Sequence, residues 1–111
     1  MKFSESLRRN EDFRRVYEKG KSYANRYLVL YVLANQTDRN RLGISVSKKV
    51  GNSVVRHRIT RLIRESYRIQ EELFNSGLDM VVVARKSAKD KTCQEIESAL
   101  LHLGKLHGIL K

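Results

Sequence analysis

From Ser53 to about Phe74 the chain carries two opposed faces, and a stable fold has to satisfy both. With Val55 set at zero and about 100° per residue, Val55, Ile59, Leu62, Ser66 and Ile69 fall within about 40° of zero, while His57, Arg61, Arg64 and Arg68 lie between about 180° and 240°. The apolar side needs a covering layer of structure. The arginine side repels itself at three- and four-residue spacing and needs anions. Gly51-Asn52-Ser53 supplies a turn and a helix cap, and Ser76-Gly77 ends the segment, so this is the longest element predicted. At 111 residues and 41% apolar content there is material for one core only, and residues 1–111 are read as a single domain.

The flanking elements supply that cover. Asn10 can cap a first helix with Glu11 and Asp12 in its opening turn and Phe13, Val16 and Tyr17 on one side, ending at Gly20. Between Ser22 and Leu33 the branched and aromatic run reads as a strand. Gln36–Asn40 reads as a turn and Leu42–Val46 as a second strand, the two forming a hairpin. Leu78–Ala84 is a buried third strand, and from Asp90 a last helix sets Ile96, Leu100, Leu103, Leu106 and Leu110 at helical spacing. The fold class predicted is α+β, an α-β-β-α-β-α sandwich with a small sheet packed on helices and a basic central helix. Alternation places Leu42, Ile44 and Val46 on one face of the sheet and Arg41, Gly43, Ser45 and Ser47 on the other; Leu28, Leu30 and Val32 likewise oppose Tyr27, Val29 and Tyr31. An open face of tyrosines and serines, with Phe13 and Tyr17 of the first helix beside it, is the expected result.

The net charge of +11 is concentrated. Residues 39–64 hold eight Lys/Arg and no Asp/Glu, whereas residues 65–111 hold seven of each. Six of those eight are arginine, whose planar fork suits bidentate phosphate contact. Arg56 and Arg58 lie on the flanks of the helix, and Lys48 and Lys49 precede it, near the free N–H groups at its start. A solvated Glu/Lys face would alternate signs; this one does not, and nucleic acid is the partner it fits. Phosphate contact alone does not separate RNA from DNA. The aromatic group Phe13, Tyr17, Tyr27 and Tyr31 favours stacking on single-stranded bases, commoner in RNA recognition, although each ring taken alone also suits ordinary packing.

Other classes find less support. No apolar run reaches the roughly 18 to 20 residues of a membrane span or forms a signal-peptide core, and the single Cys93 fits a reducing compartment, so a soluble cytoplasmic protein is expected. His57, His102 and His107 lack partners at metal-ligand spacing, and no paired carboxylates or Ser/His/Asp set stands out. A general or ribosomal RNA-binding protein, a small nuclease and a duplex-DNA binder remain alternatives on these grounds.

One resemblance separates them. Asn10-Glu-Asp-Phe13, Ala24-Asn-Arg26, Leu42-Gly-Ile-Ser-Val-Ser-Lys-Lys-Val-Gly-Asn52, Val55-Arg-His-Arg-Ile-Thr-Arg-Leu-Ile-Arg-Glu65 and Val83-Ala-Arg85 together resemble the protein subunit of bacterial ribonuclease P across nearly the whole chain. The resemblance implies a non-catalytic subunit that binds a catalytic RNA and the 5′ leader of precursor tRNA, with magnesium ions held by the RNA and no obligate protein partner. It implies a catalytic-RNA surface of Lys48, Lys49, Asn52, Arg56, His57, Arg58, Arg61, Arg64 and Arg68. It also implies a leader cleft of Phe13, Tyr17, Tyr27, Tyr31, Arg41, Ser45 and Ser47. His57 stands where the family's arginine-asparagine-arginine has asparagine, and Thr60 where lysine is common.

Overall fold

A computed structural model describes residues 2–111. In chain order the elements are β1 (Ser4–Ser6), α1 (Asn10–Lys19), β2 (Lys21–Ala24), β3 (Leu28–Ala34), β4 (Asn40–Ser45), α2 (Ser53–Gln70), β5 (Leu78–Ala84) and α3 (Cys93–His107), with 3-10 turns at Glu71–Leu73 and Lys86–Ala88. The α+β class holds; the short edge strand β1 is added to the predicted order, and the predicted strand Ser22–Leu33 divides into β2 and β3.

The sheet runs β1-β4-β5-β3-β2. The predicted hairpin between the runs Ser22–Leu33 and Leu42–Val46 is therefore not formed: β3 and β4 are separated by β5, antiparallel to β3 and parallel to β4. The reason lies in β5 itself. Asp79 through Val82 are all buried, so this strand belongs where both faces and both edges are covered. The true hairpin lies within residues 21–34, where the Asn25 side-chain carbonyl accepts from the N–H groups of Tyr27 and Leu28 and turns β2 back onto β3. Strand β1 has no alternating apolar pattern to announce it. It forms on the free edge of β4, and the Glu71 carboxylate receives the N–H groups of Lys2 and Phe3 at 2.9 and 3.0 Å.

Two helices cover one face and one covers part of the other. The larger core gathers Leu28, Leu30, Leu42, Met80 and Val82 of the sheet against Ile59, Ile63 and Tyr67 of α2 and Ile96, Leu100 and Leu103 of α3. The smaller joins Val16 of α1 to Leu7 and Val81, with Phe13, Tyr31, Leu33 and Val83 packed around them. Full burial of Val16 contributes about 1.5–3 kcal/mol toward seating α1.

Helix α2 begins as predicted, with Asn52 as its cap, but it is rolled relative to the expected orientation. Its buried residues are Ile59, Ile63, Ser66 and Tyr67, while Ile69 is 54% exposed. The Tyr67 ring stacks at a tilt on Phe74, and its hydroxyl meets Ser4 Oγ at 2.7 Å, so the largest side chain of the helix sets its orientation. Helix α1 starts one residue from the predicted cap, with Arg9 in the cap position and Asn10 inside the helix. Helix α3 starts at Cys93 rather than Asp90, because Thr92 and Glu95 close a capping box.

Candidate nucleic-acid interface

On the α1 face the backbone positions three rings. Phe13 and Tyr17 project from one side of α1, with ring centroids 6.3 Å apart, and Tyr31 rises from β3 to meet Tyr17 edge-on at 4.9 Å. Gly43 of β4 lies beneath the Phe13 ring. Tyr17 remains 38% exposed, so the cluster offers a ring to solvent as well as to the core.

An ion-pair network fastens α1 over this platform. Arg41 grips the buried Asp79 with Nε at 2.8 Å and Nη2 at 2.6 Å, and reaches Asp12 of α1 at 3.6 Å; Arg15 spans Asp12 and Asp79 from above. Burial alone pushes the Asp79 carboxyl upward, but hydrogen bonds from Arg41 and Asn35 and the charges of Arg41 and Arg15 outweigh it and hold the group below the usual carboxylate range. Arg41 therefore lies on the predicted face with its guanidinium already occupied. Tyr27 does not join the cleft. It packs against the larger core on the α3 side, under the ammonium of Lys91 at 5.1 Å, because it precedes β3 in the turn and escapes the strand's alternation. Ser45, half-buried, ends β4 on the Gly43 face by alternation, whereas Ser47 lies beyond the strand and lines a separate cleft with Lys49, Arg85, Lys86 and Ser87.

On α2, Arg61 and Arg64 are exposed, and among the described residues neither pairs with a carboxylate. His57 is exposed beside them, as are Lys48 and Lys49 in the preceding turn, while Arg56 is half-buried on the flank. The remaining predicted contacts have protein partners. Asn52 accepts from the Val55 N–H at 3.0 Å. Arg58 donates to the carbonyls of Lys89 and Lys91. Arg68 chelates Glu65, with Nε–Oε2 at 3.0 Å. Thr60 turns its hydroxyl onto the Arg56 carbonyl at 2.8 Å, so it presents no polar reach where a lysine would.

The two surfaces meet. A cleft of about 320 Å³ is lined by Ser6, Leu7 and Arg8, by Phe13, by Leu42 and Ile44 of β4, and by Arg64 of α2. The sequence reading does not reach Arg8, although the pair Arg8-Arg9 just before the first helix is a local basic signal.

Comparison with known proteins decides the family. A family model described as Ribonuclease P matches residues 1–107. The chain belongs to the ribonuclease P protein family. It is 64% identical to the ribonuclease P protein component of Lachnoclostridium phytofermentans over 107 residues, covering 96% of this chain and 92% of that one. It is 52% identical to the component of Alkaliphilus metalliredigens, covering 93% of each. Among solved structures, the RNase P protein of Staphylococcus aureus superposes with a TM-score of 0.88 at 41% identity, covering 97% of this chain and 99% of that one. That of Thermotoga maritima gives 0.84 at 33%, covering 92% and 96%. Members of the ribonuclease P family are protein components of an endoribonuclease, and the five-stranded sheet with three helices described above matches the solved structures of that family.

Proposed function

We propose that this chain is the RNA-binding, non-catalytic subunit of a ribonuclease P, seating the catalytic RNA on α2 and the 5′ leader of precursor tRNA beside α1. The observation that carries the reading is the shared cleft: Phe13 of the aromatic cluster and Arg64 of the basic helix line the same cavity. A single strand leaving that cavity toward α1 meets Phe13, Tyr17 and Tyr31, on which bases stack without sequence preference, while phosphates meet Arg64 and Arg8. Arg61, His57, Lys48 and Lys49 extend the charged side toward a folded RNA.

Catalysis belongs to the RNA in this reading. Magnesium ions, in the same reading, are held by the RNA. The protein's part is to bind, orient and neutralise charge, so that substrate and RNA meet at magnesium levels that do not by themselves overcome their repulsion.

The test is cleavage of a precursor tRNA by a bacterial ribonuclease P RNA at near-physiological magnesium, with and without this protein. Restored cutting at the mature 5′ end is the expected result. Tight RNA binding without restored cutting would make this a general RNA-binding protein instead.

A further inference from the structure

The chain between β5 and α3 is rich in positive charge, with Arg85, Lys86, Lys89 and Lys91 against Asp90 alone, yet it is held firmly against the equally positive start of α2. Ala88 is fully buried in the larger core. Ser87 Oγ bonds the Arg26 carbonyl, and Arg85 Nη1 donates to the Asn25 carbonyl at 3.0 Å. From the other side Arg58 of α2 donates Nη1 to the Lys89 carbonyl at 2.9 Å and Nη2 to the Lys91 carbonyl at 3.1 Å. The guanidinium thus grips backbone acceptors and brings the lysines that carry them alongside its own helix. Lys86 and Lys89 point outward, exposed, and Lys86 shares a cleft of about 440 Å³ with Lys49, Arg85 and the hydroxyls of Ser47 and Ser87.

Packing like charges together costs free energy unless a polyanion receives them. Among the described residues neither Lys86 nor Lys89 pairs with a carboxylate. We propose that this loop is a second phosphate-binding edge of the catalytic-RNA surface, and that Arg58 is a positioning residue, clamping the loop so that Lys86 and Lys89 continue the row begun by Lys49 and Arg61. The assignment to the catalytic RNA rather than to the leader follows from placement, since the loop lies beside α2 and α3 and the aromatic cleft lies across the sheet under α1. It rests on the reading that α2 faces the catalytic RNA.

The experiment is equilibrium binding of the full chain to ribonuclease P RNA across a salt series, for the wild type, the double variant Lys86→Ala/Lys89→Ala, Arg58→Ala, the combination of all three, and Arg61→Ala/Arg64→Ala as reference. Removing the two exposed lysines should flatten the slope of log affinity against log salt by about 1 to 2 and leave thermal unfolding unchanged. Arg58→Ala should lower affinity in the same way, and the combined variant should bind little worse than Arg58→Ala alone, because the lysines are already out of place. If the lysine variant binds like wild type while Arg61→Ala/Arg64→Ala is weakened, the loop proposal falls and the α2 reading stands. If both bind like wild type, the α2 reading falls and takes the loop with it. Independent, multiplying losses would make Arg58 a direct RNA contact and overturn its positioning role. A loss seen only in binding of precursor tRNA by the assembled complex would overturn the assignment to the catalytic RNA.

Discussion

A methyl group on Gly43 would stand 2.6 Å from Cζ of Phe13, inside van der Waals contact, so the Phe13 ring rests on the sheet only because β4 presents bare backbone there. Gly43→Ala is therefore expected to lift the ring out of the cleft at a stability cost of about 1–3 kcal/mol, the usual range for overpacking. Affinity for precursor tRNA should fall while binding to ribonuclease P RNA is kept. Unchanged precursor affinity in a folded variant would mean that Phe13 has no contact with the leader.

Tyr31 offers a separate test, since its removal disturbs no backbone approach. Tyr31→Ala should cost about 1–3 kcal/mol in binding substrates that carry a leader, the range for one stacked base, and nothing for mature tRNA. Competition between the two RNAs for the assembled complex measures the difference, and equal losses for both would remove the cleft from the reading.

Arg61 and Arg64 have no carboxylate to satisfy among the described residues, which makes them the clearest tests of the basic face. Replacing both with alanine should weaken binding to ribonuclease P RNA by about 1 to 3 kcal/mol for each bidentate pairing with the RNA that is removed, taking base recognition in DNA as the guide. The circular dichroism spectrum should not change; unfolding with affinity intact would make that face structural.

Arg41 should behave in the opposite way. Arg41→Ala leaves Asp79, only 1% exposed, with Asn35 and a 3.7 Å approach from Arg15, and the expected effect is a loss of about 1–3 kcal/mol in urea denaturation. A variant as stable as wild type would show that the network of Arg41 with Asp79 and Asp12 does not help to hold the sheet and α1 together.

The ring of His107 predicts a pH dependence. Burial, and to a lesser degree the charge of Lys21, push its pKa below the ordinary 6.5, and the bond from Nε2–H to the Leu30 carbonyl at 2.7 Å only partly opposes them. The folded chain therefore favours the neutral ring, and the unfolded chain takes up the proton first. This contribution to stability is complete above pH 6.5 and is lost as pH falls through 6.5 toward the lower, folded value. His107→Gln, which keeps a donor for Leu30, should flatten the dependence of the urea midpoint on pH between about 7 and about 5, the interval around the ordinary histidine value. An unaltered slope would place its origin elsewhere.

What the sequence disclosed was local. Asn52, the helical spacing after it and the Ser76-Gly77 break mark α2, and the run Leu78–Ala84 marks β5, because caps, periodicity and burial are written in neighbouring residues. The sheet order is not written that way. Nothing near Leu33 or Leu42 signals that β5 will lie between their strands, and Ser4–Ser6 is a strand only because β4 has an edge to fill. The same limit governs the charges. Arg41, Arg58 and Arg68 share the composition of Arg61 and Arg64, but Asp79, the Lys89 and Lys91 carbonyls and Glu65 occupy them; all but the Arg68 pair bridge distant parts of the chain. Tyr27 falls in the cleft only if a strand's alternation is extended one residue into a turn, where the pleat no longer dictates which way a side chain points.

The central place of β5 also governs the order in which the chain can fold as it is synthesised. Strands β3 and β4 both pair with residues 78–84, so neither core can close until those residues have left the ribosome. The arginine segment, at residues 56–64, emerges earlier, when the strand that completes the sheet beneath it does not yet exist. On the reading proposed above, an RNA that bound the segment at that stage would meet an unfinished protein, and its binding would be coupled to the folding of the subunit.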